Sequence, residues 1–378
     1  MTVDKVIEWR RHIHQNPELS FRETGTSAYV AGILESFGNI EVRRPTPTGV
    51  IGILNGARPG RKVAFRADID ALPVHEETGL TFASRVDGVS HACGHDAHTA
   101  MLLGAADALS RMREEISGTV YFVFQHAEEL DPGGAREIVD SGELKEIEAI
   151  FGLHVFPNYP SGHVGIFPEG PASTAVDNFY LTVEGKGTHG AMPQAGVDPI
   201  VTGAQIVMAL QTIVSRNVKP GEMAVVTVGK FQSGSAPNVI PGTARLEGTV
   251  RTVTDETRQL AADRVKALID NIARANGASY SLDYVTSHPA VHNDAGLAGL
   301  AKSSAVKALG AGCVFDAPRM SGSEDFAWYR EQAPGCMIIL GVGPGSASHS
   351  PQYNLDESAL ENGVKTEVQI ILDFLNQK

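Results

Sequence analysis

Residues Thr119–Gln125 read TVYFVFQ, and nearly every one of them is apolar. A strand with one face in water alternates polar and apolar residues, so this unbroken run predicts a strand covered on both faces. Ala149–Leu153 and Met337–Val342 are runs of the same kind. Ala97–Arg113 and Asp356–Leu375 carry apolar residues at helical spacing. Together these segments predict an α/β fold in which a central mixed sheet is flanked by helices.

The middle of the chain has a different order of elements. It reads strand–helix–strand–strand–helix–strand, which is the order of a ferredoxin-like α/β module. The six predicted segments are Phe179–Glu184, Asp198–Arg216, Ala224–Phe231, Ala244–Thr252, Thr254–Asn276 and Tyr280–Val285. We therefore expect residues 175–286 to form a small inserted domain. The larger, discontinuous domain would comprise residues 1–174 and 287–378.

Composition argues against several classes of partner. The 378-residue chain has a formal net charge of −13 and no basic run, so neither a nucleic acid nor an anionic membrane surface is expected to bind it. An apolar signal segment and an apolar stretch of membrane-spanning length are both absent from the sequence. Three cysteines do not suggest a disulfide framework. We expect a cytoplasmic location.

The segment His91–His98 (HACGHDAH) combines three histidines, a cysteine and an aspartate. Cys93 and His95 are separated by one glycine, so both side chains are expected to reach a single ion. A thiolate beside an imidazole favours zinc or another borderline first-row metal over magnesium or calcium. The segment therefore predicts a metal site.

Further side chains of metal-binding type lie at the ends of the predicted strands. Asp68, the pair Glu128–Glu129, His154 and His349 all follow apolar runs. Ligands of open α/β sheets bind beyond the carboxyl ends of the strands, so these segments are expected to meet at one rim. In the glutamate pair we expect one carboxylate on the metal and the other on the attacking water, although spacing alone does not assign the roles. Asp68 is expected to orient a ligand rather than bind metal.

Four segments, in order along the chain, resemble one family: Arg66–Pro73 (RADIDALP), His91–His98, Ala127–Glu129 and Gly152–Val155. They resemble the amidohydrolase branch of the two-metal aminoacylase and carboxypeptidase family, which includes hippurate hydrolases, N-acyl-amino-acid hydrolases and plant auxin-conjugate hydrolases. The resemblance implies a metal-binding catalytic domain and an inserted lid domain that forms the contact of a homodimer. It also implies two divalent metal ions per subunit, for which zinc, manganese, cobalt and nickel are all suitable.

The resemblance also implies roles for single residues. Glu128 would be the general base that later protonates the leaving amine, and Asp68 would lie beside the ligands. The implied metal ligands are Cys93, His95, Glu129, His154 and His349.

In the predicted lid, Gly185–Pro193 (GKGTHGAMP) resembles the family's glycine-rich histidine segment. The resemblance implies that His189 reaches the active site of a neighbouring subunit and stabilises the tetrahedral oxyanion. Asn238 and Arg251 match the family's anchors for the substrate carboxylate, to which an arginine donates two parallel hydrogen bonds. Ser321–Phe326 resembles a loop that lines the site, with Glu324 as a polar neighbour.

Two positions depart from the family pattern. His126 stands where most relatives have proline, and Gly345–Ser348 is small and polar where a bulkier residue is common. The first adds an imidazole near the glutamates, and the second bears on the size of the pocket. We expect Asp70, His91 and His98 beside the ligands or at the surface rather than among the ligands.

These residues predict metal-dependent hydrolysis of the amide bond of N-acyl amino acids, which releases a free amino acid and a carboxylic acid. A carboxypeptidase or dipeptidase that acts on small peptides has the same chemistry and remains an alternative. A metal-dependent ligand-binding protein without turnover is a further alternative, although the intact glutamate pair argues against it. A zinc nucleobase deaminase is excluded because its histidine-x-glutamate and proline-cysteine-x-x-cysteine signature is absent.

Overall fold

The computed structural model describes residues 3–377, and that range contains eight α-helices. Several begin at a side-chain cap: the Asp198 carboxylate, for example, accepts hydrogen bonds from the first free N–H groups of its helix. The helices are α1 (Val3–Gln15), α2 (Thr24–Ser36), α3 (His95–Arg111), α4 (Gly134–Ser141), α5 (Pro199–Thr212), α6 (Asp255–Ala275), α7 (Ala295–Leu309) and α8 (Leu360–Leu375).

The strands within residues 3–377 form two larger sheets and two short pairs. They are β1 (Glu41–Arg43), β2 (Val50–Asn55), β3 (Arg58–Asp68), β4 (Ser117–Gln125), β5 (Ala149–Pro160), β6 (Val164–Ile166), β7 (Gly170–Pro171), β8 (Ala175–Glu184), β9 (Thr188–His189), β10 (Ala224–Ser233), β11 (Val239–Ile240), β12 (Thr243–Thr252), β13 (Ser279–Thr286), β14 (His292–Asn293), β15 (Val314–Asp316) and β16 (Gly335–Gly343).

The larger sheet has eight strands in the order β1–β2–β4–β3–β5–β16–β6–β15. Its centre, β4–β3–β5–β16, is parallel, and so is the pair β6–β15 at one edge, whereas the pairs β1–β2, β2–β4 and β16–β6 are antiparallel. The predicted mixed sheet is therefore confirmed. Phe65, Phe122 and Phe151 of the central strands are fully buried in one core with Met101 of α3 and Phe374 of α8.

The smaller sheet has four antiparallel strands in the order β10–β12–β8–β13. Helices α5 and α6 pack against it, and their buried side chains, such as Ile206 and Ile269, share a core with Phe179 and Leu246. Along the chain the order is β8, α5, β10, β12, α6, β13, which is the strand–helix–strand–strand–helix–strand order of a ferredoxin-like module.

The chain divides into two compact units. The larger comprises the residues up to Ala172, Val291–Arg319 and the residues from Asp325 onward; the smaller comprises Ser173–Ala290 and the short segment Met320–Glu324. Periodicity placed the insertion at residues 175–286 and contained no sign of that second, short segment. Within residues 3–377, every helix is too short or too polar to cross a membrane.

Candidate active site

Cys93 and His95 flank a glycine that turns the chain sharply into α3. Gly94 has a φ of 90°, and a Cβ atom there would lie 2.3 Å from Val155 Cγ2 and 2.7 Å from the Tyr353 hydroxyl. Glycine is therefore required both by the left-handed backbone and by the lack of space. α3 begins at His95, two residues before the predicted start at Ala97. Because of this turn, the Cys93 thiol and a ring nitrogen of His95 reach the same spot.

His154 reaches that spot from inside strand β5. The prediction that this strand ends at Leu153 is wrong, since β5 continues to Pro160. Pairing with β3 stops at Gly152, whereas pairing with β16 continues, so one edge of β5 opens where His154 stands. Its Nδ1 lies 2.8 Å from the carbonyl oxygen of Val155 and donates to it, which leaves an Nε2 lone pair 3.5 Å from Cys93 Sγ.

Asp70 orients both His95 and the loop that carries Glu128 and Glu129, here called the glutamate loop. His95 Nδ1 lies 3.0 Å from the Asp70 carbonyl oxygen and 3.2 Å from its Oδ1, so it donates its proton there and presents the Nε2 lone pair to the site. Oδ2 of the same carboxylate accepts hydrogen bonds from the Glu129 N–H (3.0 Å) and the Ser20 hydroxyl (2.7 Å). Such partners fix the ring orientation of a metal-binding histidine. The sequence alone did not distinguish between a position of Asp70 beside the ligands and one at the surface.

Asp68 and His98 lie beside the site, and with His95 they form a further group whose potential ligand atoms are within 4.8 Å of one another. Asp68 Oδ1 lies 2.6 Å from His98 Nδ1, and its Oδ2 accepts a 2.7 Å hydrogen bond from Arg66. His98 Nε2 accepts the N–H of Val155 at 2.8 Å, so both of its ring nitrogens are engaged. Burial would raise the pKa of Asp68, but His95, Arg66 and His98 hold it well below its usual value. The carboxylate is therefore charged and faces the His95 ring.

Glu129 and His349 close the site from the other side. His349 Nε2 lies 3.3 Å from Glu129 Oε1, and His95 Nε2 lies 3.8 Å from the same oxygen. The His349 backbone has a φ of 66° and donates its N–H to the Ala92 carbonyl oxygen, which ties its loop to the segment before Cys93. Hydrogen bonds to Cys93 and Glu129 raise the pKa of His349 to about 10. The loop that carries His349, although distant in sequence, is thus held beside Cys93 and Glu129.

Potential ligand atoms form overlapping groups, each with its atoms within 4.8 Å of one another. Among these groups are Cys93–His95–His154, Cys93–Glu129–His349 and His95–Glu128–Glu129. The buried atom His95 Nε2 lacks a hydrogen bond to any described residue. A thiol, imidazoles and carboxylates with inward-facing lone pairs are the donor set that zinc and other first-row ions bind. The residues present therefore fit two adjacent divalent ions.

The predicted substrate-binding residues belong to the smaller unit. Strand β9 pairs with β11, with His189 opposite Val239, and the Gly190 N–H donates to the Asn238 carbonyl oxygen at 2.7 Å. His189 and Asn238 are thereby neighbours, and both are exposed. Arg251 lies on β12, where it donates a 2.8 Å hydrogen bond to the Ser323 hydroxyl. Glu324 is buried in the same short segment as Ser323.

His126 faces away from the ligands. Its Nε2 lies 3.0 Å from Glu137 Oε2, its Nδ1 lies 3.4 Å from the Thr46 hydroxyl, and its ring meets that of Phe21 edge-on. The ring is buried among these three partners. Both nitrogens of the additional imidazole are therefore engaged with Thr46 and Glu137 rather than with the candidate ligands.

Comparison with known proteins places these features in a family. The model of the peptidase family M20/M25/M40 matches residues 64–373. An N-acyl-L-amino acid amidohydrolase of Geobacillus stearothermophilus is 47% identical over 292 residues, which are 77% of this chain and 79% of that protein. An N-acetylcysteine deacetylase of Bacillus subtilis is 41% identical and covers 94% of this chain and 93% of its own length.

A solved structure from Bacillus subtilis, described as a dinuclear metal-binding peptidase of the M20 family, superimposes with a TM-score of 0.87 at 37% identity. The alignment covers 100% of this chain and 99% of that one. The similarity thus extends over both compact units.

Proposed function

This chain belongs to peptidase family M20/M25/M40, and on that premise we propose that it is a metal-dependent amidohydrolase acting on N-acyl amino acids. It cleaves the amide bond and releases a free amino acid and a carboxylic acid. The observation that carries the proposal is the set of overlapping ligand groups centred on Cys93, with a second glutamate beside them. The names of the relatives, N-acyl-L-amino acid amidohydrolase and N-acetylcysteine deacetylase, support this substrate class.

Two divalent ions per subunit would be held by Cys93, His95, Glu129, His154 and His349. When bound, they supply Lewis acidity toward the substrate carbonyl and the attacking water. The protein contributes the orientation of the ligands, since hydrogen bonds on the opposite ring nitrogens of His95 and His154 turn their Nε2 lone pairs inward. The donor set suits zinc, manganese, cobalt or nickel.

Glu128 is the general base. It stands next to Glu129 and offers a carboxylate oxygen to the same group of ligand atoms. It takes a proton from the attacking water and returns it to the nitrogen of the leaving amino acid. Glu129 keeps its oxygens for the metal because its backbone is anchored by Asp70.

His189 donates a hydrogen bond to the developing oxyanion. Its Nδ1 accepts the N–H of Ala191 at 3.1 Å, so in the neutral ring the proton is on Nε2, which is then a donor. Arg251 and Asn238 bind the free carboxylate of the substrate, and the arginine can donate two parallel hydrogen bonds. An enzyme built this way prefers substrates with a free α-carboxylate.

The smaller unit is also a lid that joins two copies of the chain in a homodimer. In that dimer, each copy contributes its His189 to the active site of the other. Strand β10 is an edge of the four-stranded sheet, and an edge strand invites pairing. Exposed apolar side chains accompany it, among them Met208 (71% exposed) and Val201 (48% exposed) of α5.

We expect a cytoplasmic enzyme, since the Cys93 ligand must stay reduced and the cysteines are free thiols.

A substrate panel with metal analysis tests the proposal. The purified protein, loaded with zinc or manganese, should release free amine from N-acetyl and N-benzoyl amino acids, and a chelator should abolish the activity. Glu128→Gln should lower kcat by roughly 10² to 10⁴-fold while the metal content is unchanged. Glu361→Gln, at a half-exposed glutamate paired with Lys365, is the matched control. Full activity in Glu128→Gln would contradict the role of the base.

Peptide cleavage is the second candidate, because the solved neighbour is described as a peptidase. Both reactions use the same metals and base, so only the group on the acyl side differs. Parallel assays with N-acetylalanine and alanylalanine separate them. A higher kcat/KM for the dipeptide would favour a dipeptidase or carboxypeptidase, and tight binding without product would indicate a ligand-binding protein.

A further inference from the structure

Glu23 is a buried carboxylate that binds the loop carrying the two glutamates. It lies just before α2, far from that loop in sequence, and its side chain has no exposure to solvent. Its Oε1 accepts the N–H of Ala127 at 2.9 Å and the N–H of Phe21 at 2.9 Å. Its Oε2 accepts the Thr48 hydroxyl at 2.9 Å. None of these partners is a candidate metal ligand.

Both backbone donors to Oε1 belong to residues with a strained backbone. Phe21 has a φ of 64° and Ala127 a φ of 49°. Left-handed backbone is unfavourable for residues other than glycine and persists only where the surroundings enforce it. Among residues 3–377, His349 is the only other non-glycine residue with positive φ, and it is a candidate ligand. The strained residues thus lie in segments at or beside the active site. Two of the three, Phe21 and Ala127, donate to the same oxygen, Glu23 Oε1.

Ala127 immediately precedes Glu128, so its backbone angles decide where the two glutamates point. On the other side of Glu128, the Glu129 N–H is held by Asp70 Oδ2 at 3.0 Å. Glu128 is therefore bracketed by two backbone N–H groups, each bound to a buried carboxylate. The ring of Phe21 also packs edge-on against that of His126, which adds an apolar contact to the same junction.

We propose that Glu23 is a positioning residue for catalysis, which holds Ala127 in the left-handed turn that aims Glu128 at the substrate. This inference rests on the proposed function for the identity of the base. Glu23 touches neither substrate nor metal, so it acts only through the geometry of the loop. A displacement of about 1 Å at a catalytic group lowers the rate about 10²-fold. The loss of the clamp should therefore lower kcat by about 10- to 100-fold.

The hydrogen-bond pattern predicts which substitution is tolerated. Both backbone donors bind to Oε1, whereas the partner of Oε2 is the Thr48 hydroxyl. A hydroxyl can accept a hydrogen bond as readily as it donates one. A glutamine can place its carbonyl oxygen at Oε1 and its amide nitrogen toward Thr48. Glu23→Gln should therefore retain the clamp, Glu23→Ala should lose it, and Glu23→Asp should be too short to reach Ala127.

Steady-state kinetics and hydrogen exchange on the full-length protein test the proposal. With an N-acetyl amino acid, Glu23→Ala should lose about 10- to 100-fold in kcat, with KM within twofold and metal content unchanged. Exchange mass spectrometry of the peptide covering Gln125–Leu130 should show faster exchange in Glu23→Ala than in wild type. Glu23→Gln should resemble wild type in kcat and in exchange.

Glu18→Ala is the matched control. The Glu18 carboxylate also binds backbone N–H groups, those of Gly25 and Thr26, but these belong to the start of α2 rather than to the glutamate loop. It should leave kcat and the exchange of the 125–130 peptide unchanged. If Glu23→Ala does not fold, Glu23→Asp replaces it, with loss of kcat and of protection expected relative to Glu23→Gln.

Full kcat and unchanged exchange in Glu23→Ala would overturn the proposal, as would a Glu23→Gln variant as impaired as Glu23→Asp. Failure of the proposed function has a different signature, because wild type would then release no amine from any N-acyl amino acid. The exchange comparison still tests the clamp in that case.

Discussion

Replacing Asp70 by asparagine keeps the shape of the side chain but leaves it a single acceptor oxygen. The native carboxylate serves His95 Nδ1 with one oxygen and the Glu129 N–H with the other. An amide can accept from only one of these donors and turns its own NH₂ group toward the second. An NH₂ group facing His95 Nδ1 would oppose that donor even though the ring also reaches the Asp70 carbonyl oxygen at 3.0 Å. A buried donor left unsatisfied costs about 1–3 kcal/mol, and every 1.4 kcal/mol corresponds to a factor of ten. We therefore expect the affinity for metal in Asp70→Asn to fall by about 10- to 100-fold, as is usual for partners of metal ligands.

Titration of the metal-free protein with zinc, in competition with a chromophoric chelator, measures this loss. Ser20→Ala is the matched control, because it removes the third donor to Asp70 while both other hydrogen bonds are retained. Its zinc affinity should stay within about threefold of wild type. An Asp70→Asn protein with wild-type zinc affinity would refute the inference that this carboxylate orients His95 and Glu129.

Three further predictions concern a histidine beside the ligands, the unusual histidine and a buried glutamate of α8. His98→Ala should still bind two ions per chain by elemental analysis, because both ring nitrogens are engaged elsewhere, and loss of an ion would make it a ligand. His126→Gln should keep kcat within about threefold, since its nitrogens face Glu137 and Thr46, and a tenfold loss would be inconsistent with that packing. Burial raises the pKa of Glu367 well above the usual 4.5, so the contribution of this group to stability is fully present below pH 4.5 and is lost as pH rises through the folded-state value. Glu367→Gln should therefore raise the urea midpoint more at pH 8 than at pH 5, and an equal gain at both would contradict the assignment.

Periodicity was sufficient for the architecture because burial leaves a direct mark on sequence. The unbroken apolar run at Thr119–Gln125 lies in β4, where the residues from Val120 on are buried. The alternating patterns of the middle segment likewise correspond to its four strands. The ends of the strands were harder to predict. β5 continues beyond His154 into further apolar residues, Val155 and Phe156, so the sequence does not mark where its edge opens. What opens that edge is the end of pairing with β3, a property of a neighbouring strand.

The ligand types could be read from sequence, but their partners could not. Asp68 and Asp70 are two residues apart with similar surroundings in sequence, yet one binds Arg66 and His98 while the other binds His95. Which carboxylate faces which ring depends on the β3 pleat and the position of α3. Glu23 is 104 residues from Ala127 and carries no local signal of that contact. Contacts between the candidate ligands and the residues that orient them arise only from tertiary packing.

Cys93 is proposed to ligate a bound divalent ion together with histidines and a glutamate. Zinc K-edge X-ray absorption of the zinc-loaded enzyme tests it most directly. We predict a sulfur scatterer at about 2.3 Å beside nitrogen and oxygen scatterers, and its disappearance in Cys93→Ser. A shell of nitrogen and oxygen alone in the wild-type enzyme, with the Cys93 thiol still reactive toward alkylation, would contradict the account.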